Sequence, residues 1–190
     1  MGYSKYLSKL WKKPKENLGT ERWRAWLMQL RREPAMLRIE NPTRPDRAHA
    51  LGFRAKEGFV VVRSRVTKGG SKKPRFGHGR KPKRYGRFIT RRKSDQVIAE
   101  EHVARFYPNC EILNSYWVGE DGRYKWYDVI LADRVQVSKY KGYEWLATPA
   151  NRGRVYRGLT AAGKESRGLT KKSKKATGQF RPSKRSQGAK

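Results

Sequence analysis

From Gly58 to Ser94 the chain carries 14 lysines and arginines and no acidic residue. That stretch limits the fold more than any other feature, because unpaired cations are almost never buried and cannot pack against one another. It must lie at a surface and meet anions there. Its middle, from Lys68 to Lys93, shows no hydrophobic period and is rich in glycine, lysine and arginine. A long loop without secondary structure is uncommon unless it has a function, and here the charge supplies one.

The charge on either side is uneven. Residues 1–50 hold 12 basic and 5 acidic residues, and residues 97–150 hold 6 and 8. Residues 151–190 hold 13 basic residues against Glu165 alone. A nearly neutral, aromatic-rich body thus sits between two strongly cationic stretches. Over 190 residues the net charge is +31 and the mean hydropathy −0.99. A compact state with this charge repels itself, so a polyanion is the expected partner.

Several classes drop out. No apolar run exceeds four residues, the length of Phe59–Val62 and of Val129–Ala132 among others, against the roughly 20 that a spanning helix needs. The polar start Met1-Gly2-Tyr3-Ser4-Lys5 lacks the apolar core of a secretory signal. Cys110 is alone and cannot form an internal disulfide, which fits a reducing compartment. His49, His78 and His102 match no zinc spacing.

The neutral part has the clearer folding pattern. Phe59–Val66 alternates, predicting a half-buried strand with Val60, Val62 and Val66 inward and Arg63 and Arg65 on a basic outer face. Ser94 or Asp95 caps a predicted helix to about Tyr107, with Val97, Ile98, Val103 and Phe106 as its apolar stripe and Pro108 closing it. Ile112–Val118 and Tyr124–Ala132 read as a hairpin around Gly119-Glu120-Asp121-Gly122. Upstream, helices are predicted over Tyr3–Lys13, from a Thr20 cap to Pro34, and over Thr43–Leu51 with Gly52 just past its end. Trp23 and Trp26 fall at helical spacing with Leu27 and Leu30, a packing signal rather than a stacking platform for bases. This order predicts an α+β fold, a small antiparallel sheet with helices packed on one face, plus a long basic loop and a basic C-terminal extension. The expected division is one α+β domain over 1–165, containing an extended basic loop at about 67–93, and a flexible basic tail over 166–190.

The basic stretches point to nucleic acid. Neutralised phosphates release counterions, and about 8 contacts already cost on the order of 10³-fold in affinity between low and moderate salt. Gly69, Gly70, Gly77, Gly79 and Gly86 allow close backbone approach, and Phe76, Tyr85 and Phe88 can stack on exposed bases. The candidate RNA-binding residues are Arg63, Arg65, Lys68, Lys72, Lys73, Arg75, Arg80, Lys81, Lys83, Arg84, Arg87, Arg91, Arg92 and Lys93 in the loop region. Arg152, Arg154, Arg157, Arg167, Lys171 and Lys172 form a second set near the C-terminus. No zinc finger, basic zipper or other familiar DNA-reading module is present. A basic DNA-compacting chromatin-type protein is the alternative.

No enzyme signature is found. There is no phosphate-binding Gly-Lys-Ser/Thr loop, and Gly77-His78-Gly79 follows no strand and lacks a third glycine. Glu100 and Glu101 are helix neighbours that point apart, and Asp121 lies in a turn, so no two-metal site is expected among Glu100, Glu101, Asp121 and Asp128. Cys110 reads as a small residue starting a strand.

Leu113-Asn114-Ser115-Tyr116-Trp117-Val118-Gly119-Glu120-Asp121-Gly122, followed by Lys125-Trp126-Tyr127 and Val129-Ile130-Leu131, closely resembles the archaeal and eukaryotic type of large-subunit ribosomal protein fifteen, the family without a bacterial relative. Asn41-Pro42-Thr43-Arg44, Ala55-Lys56-Glu57-Gly58, Lys68-Gly69-Gly70 and Arg154–Thr160 resemble further landmarks of that family, in collinear order over roughly residues 1–170. The short chain and tail resemble the archaeal members. The resemblance implies an α+β domain whose long extensions enter large-subunit rRNA, and a structural role without activity or cofactor. The implied partners are large-subunit rRNA and neighbouring large-subunit ribosomal proteins, in the cytoplasmic ribosome, with no membrane and no small-molecule substrate. By position, Lys68–Lys93 matches the family's rRNA-penetrating segment and Arg152, Arg154 and Arg157 its second basic cluster. Pro45 and His49 depart from the family's pattern.

Overall fold

The computed structural model describes residues 2–72, 79–80, 82, 88–89, 91 and 93–169. Its framework is a four-stranded antiparallel sheet in the order β1 (Met36–Ile39), β2 (Phe59–Thr67), β6 (Tyr124–Asp133), β5 (Cys110–Glu120). Helices α1 (Tyr3–Leu10), α2 (Pro14–Asn17), α3 (Thr20–Arg32) and α4 (Pro45–Ala50) precede or interrupt the first two strands. The helix α5 (Asp95–Phe106) comes between β2 and β5, and α6 (Arg134–Val137) and α7 (Ala161–Ser166) follow β6. The predicted α+β class with an antiparallel sheet is what forms.

The layering differs from the expectation of helices on one face. Every residue of β6 from Trp126 to Ala132 is buried, and a strand buried on both faces needs cover on both. On one face Trp126, Ile130 and Ala132 meet Trp23, Leu27 and Leu30 of α3 and Ala48 of α4. On the other, Val129 and Leu131 pack with Val62 and with Val103 of α5, and Tyr127 with Val66 and Ala99. Strand β2 follows suit: Val61 is buried as well as Val62 and Val66, so the face carrying Arg63 and Arg65 is covered rather than an open basic face.

The helices form largely where their patterns place them. Ser94 caps α5, its Oγ accepting from the Val97 amide. Val97 and Val103 are buried, whereas Phe106, expected in the stripe, is 68% exposed. Helix α3 runs as expected, but Thr20 is its first residue and Gly19 its N-cap, without a side-chain bond. Trp23 is buried, and Trp26 packs between Trp23 and Trp11 at ring distances of 5.2 and 5.7 Å. Gly119 lets α3 lie close against β5: a Cβ there would meet Trp23, Leu27 and Leu30 at 3.5–3.7 Å. Strand β1 is an element the sequence pattern does not indicate. Cys110 does begin β5.

Candidate nucleic-acid interface

The basic segment leaves the body at the end of β2. Its base is a two-residue antiparallel ladder, β3 (Ser71–Lys72) on β4 (Phe88–Ile89), where the sequence pattern predicts no secondary structure. Below that ladder the cations act as staples. Arg91 donates from Nη1 to the Thr67 carbonyl at 2.8 Å and to Asp95 Oδ1 at 3.2 Å, and from Nη2 to Thr67 Oγ1. Lys68 Nζ donates to the Asp121 carbonyl at 3.0 Å and lies 3.6 Å from Glu120. Lys93 Nζ lies 2.5 Å from Glu101 Oε1. Arg80 is exposed. Lys73, Arg75, Lys81, Lys83, Arg84, Arg87 and Arg92 lie outside the described residues, as does the side chain of Lys72.

Arg63 and Arg65 divide. Strand register sets Arg63 opposite Asp128, which is fully buried and bonded to Arg63 Nε at 3.1 Å. Arg63 Nη1 reaches Glu33 at 3.0 and 3.2 Å, and Nη2 reaches Thr43 Oγ1 at 2.6 Å. Burial opposes the charge, but Asp128 and Glu33 outweigh it and raise the Arg63 pKa above its ordinary value. Tyr116 donates to the second Asp128 oxygen at 3.0 Å, and burial together with that carboxylate pushes its hydroxyl far above the usual range. Arg63 is therefore an internal hub, with all three guanidinium nitrogens bonded inside the protein. Arg65 instead lies over the Tyr124 ring at 4.7 Å, donating to the Arg31 carbonyl.

The second basic cluster wraps around its own backbone. Arg157 Nη2 donates to the carbonyls of Ala150 and Arg152, and Arg167 Nη1 to those of Arg157 and Gly158. Arg154 bonds the Ile112 carbonyl at 3.1 Å and stacks on Trp145 at 4.5 Å. Burial pulls the Arg154 pKa down, against Glu111 and Glu100 nearby. Arg152 is exposed, whereas Lys171 and Lys172 lie outside the described residues.

Two buried carboxylates anchor this cluster. Glu111 accepts from the Gly153 amide at 2.7 Å. Glu100, fully buried, accepts from Ser115 Oγ and, at 2.7 Å, from Thr160 Oγ1, the N-cap of α7. Burial raises the Glu100 pKa, the Ser115 and Thr160 hydroxyls opposing it only in part.

Most carboxylates of the neutral body are occupied. From Asp95 to Asp133 there are eight, and each has an internal partner: Asp95 with Arg91 and Lys125, Glu100 with the two hydroxyls, Glu101 with Lys93, Glu111 with Gly153, Glu120 with Lys68, Asp121 with Arg31, Asp128 with Arg63, and Asp133 with amides of α6. Asp121 also accepts from the Arg123 and Tyr124 amides, and these bonds with Arg31 hold its carboxyl below the usual range although burial opposes them.

A further cationic surface is one that the sequence motifs do not single out. Lys5, Lys9, Lys12, Lys13, Lys15, Arg22, Arg24, Arg31 and Arg32 are all exposed on or beside α1–α3. The net charge of residues 1–50 is its visible signal in the sequence.

Among the described residues no group of three or more His, Cys, Asp or Glu could hold a metal ion, and no helix is long and apolar enough to cross a membrane. A family model described as ribosomal L15 matches residues 2–187.

Proposed function

The chain belongs to the ribosomal L15 family of the archaeal and eukaryotic type, structural constituents of the large subunit of the cytoplasmic ribosome, and we propose that it stabilises folded large-subunit rRNA through its basic loop, its C-terminal cluster and tail, and the cationic surface of α1–α3. The family is generally non-enzymatic, with rRNA and other ribosomal proteins as its partners. The observation that carries the reading is the occupancy of the eight acids from Asp95 to Asp133, each of which is engaged inside the protein. Cations further along the loop and tail then find their counter-charge on another molecule, and phosphates at regular spacing provide it.

Within that role the residues divide. Lys68, Arg91 and Lys93 hold the root of the loop, and Arg80 with Lys72, Lys73, Arg75, Lys81, Lys83, Arg84, Arg87 and Arg92 make positioning contacts to phosphate and sugar. Arg154, Arg157 and Arg167 shape their own loop first and offer their remaining donors outward, since a guanidinium has five, and exposed Arg152 reaches outward beside them. Lys171 and Lys172 extend the tail along the rRNA. Arg63 belongs to the core.

Sedimentation of native lysate through sucrose, with and without a high-salt wash, tests this. Co-migration with large subunits at one copy each, surviving the wash, is expected; loss at moderate salt or pelleting with DNA would refute it.

A further inference from the structure

The Asn41–Arg44 landmark leads into a polar cavity that the role above leaves unused. Ser4 and Ser8 of α1, Arg44, Asp46 and Arg47, and Trp117 of β5 line a space of about 530 Å³, within the roughly 300–1,000 Å³ typical of small-ligand sites. Its walls are under-bonded. Arg44 Nε is buried without a hydrogen-bond partner among the described residues, and so is Asp46 Oδ1. Arg44 Nη2 and Asp46 Oδ2 lie 4.0 Å apart. Burial depresses the Arg44 pKa more than Asp46 restores it, and the guanidinium otherwise rests on the Trp11 ring at 5.0 Å. Arg47 is exposed beside it.

Arginine forks, paired hydroxyls and an indole in one cavity match the three parts of a nucleotide. Guanidinium groups match phosphate geometry, a ribose 2′-hydroxyl both donates and accepts, and a base stacks on an aromatic face. A bare phosphate would engage only the arginines and leave most of the volume empty. We propose that this cavity takes one nucleotide extruded from folded rRNA, its phosphate between Arg44 and Arg47, its ribose against Ser4 and Ser8, and its base beside Trp117. This rests on the rRNA-binding reading and adds a discrete site to it.

Large subunits containing the full chain are irradiated with ultraviolet light, and peptide–nucleotide adducts are mapped by mass spectrometry. An adduct at Trp117 is expected, reduced several-fold in particles assembled with Arg47→Gln while adducts within residues 68–93 persist. Loop adducts without one at Trp117, or a Trp117 adduct unchanged by Arg47→Gln, would overturn the site and leave the rRNA reading intact. No adduct anywhere on the chain would overturn that reading and the site with it.

Discussion

Replacing Arg63 with alanine separates a core cation from an RNA contact. The side chains of Arg63, Glu33 and Asp128 are only 11%, 16% and 0% exposed. Removing the guanidinium leaves Asp128 with the Tyr116 hydroxyl as its remaining side-chain partner. Breaking a buried ion pair by deleting one partner costs about 3–5 kcal/mol, because the other charge stays buried. At roughly 2–4 °C per kcal/mol for a chain of this size, Tm should fall by about 6–20 °C. Urea unfolding followed by tryptophan fluorescence reads the same loss as a lower midpoint with an unchanged slope. Pairing Arg63→Met with Asp128→Asn should recover part of it, since the fully buried charge is removed and only the partly exposed Glu33 carboxylate is left without its cation. Binding of the folded variant to rRNA should keep its salt slope, whereas an Arg80→Ala variant should lose roughly 0.7–0.9 of slope if that residue meets a phosphate. A stability loss below about 1 kcal/mol, or a reduced salt slope at unchanged stability, would refute the assignment of Arg63 to the core.

Two further outcomes follow from the C-terminal anchor. Because burial raises the Glu100 pKa above its ordinary value of 4.5, the folded state holds this proton more tightly than the unfolded one, and stability is lost as pH rises from that value through the folded pKa. Glu100→Gln should therefore become progressively more stable relative to the parent over that interval, and parallel stability–pH profiles would contradict the argument. Gly163→Ala sets two effects against each other: alanine favours a helix by about 1 kcal/mol, but its Cβ would lie 2.8 Å from the Gly158 Cα and carbonyl carbon. Backbone cannot yield as a side-chain end can, so a net loss of about 1–3 kcal/mol in thermal unfolding is expected, and any gain in Tm would sink it.

The hairpin of β5 and β6, the Ser94-capped helix α5 and the tryptophan face of α3 are legible because their signals are local: alternation, a capping serine, apolar spacing of three and four. Strand β1 is not. Met36–Ile39 is four residues long, without alternation, and exists because its backbone pairs with β2 from Ser64 to Val61. The two-sided cover of the sheet is half legible, since Val129–Ala132 is an unbroken apolar run, the mark of a strand buried on both faces. Arg63 and Arg65 are indistinguishable locally, two residues apart on one face. What separates them is Asp128, opposite Arg63 but 65 residues away in the chain. An acid between Tyr127 and Val129, inside an apolar strand, does signal that some cation must be buried with it, but only the register says which.

The placement of acids bears directly on how such a chain can hold RNA. A protein of net charge +31 whose acids from Asp95 to Asp133 were unpaired would draw its cationic arms back on itself, and each internal pair would have to break before a phosphate could be met. Here the carboxylates from Asp95 to Asp133 are engaged with hydroxyls, amides or cations that belong to the body or to the loop's root. Asp95 shows the consequence: it holds Arg91 at 3.2 Å and Lys125 at 2.9 Å, so the point where the loop leaves the sheet is fixed while the residues beyond it retain their charge. Fixing the root limits the directions in which the arm can leave, which lowers the ordering cost when it binds. On the proposed reading, the near-neutral body supplies direction and the arms supply charge, and moving acids outward from the root would weaken rRNA binding more than deleting the same number of arm cations, because each misplaced acid both pairs a cation internally and repels phosphate.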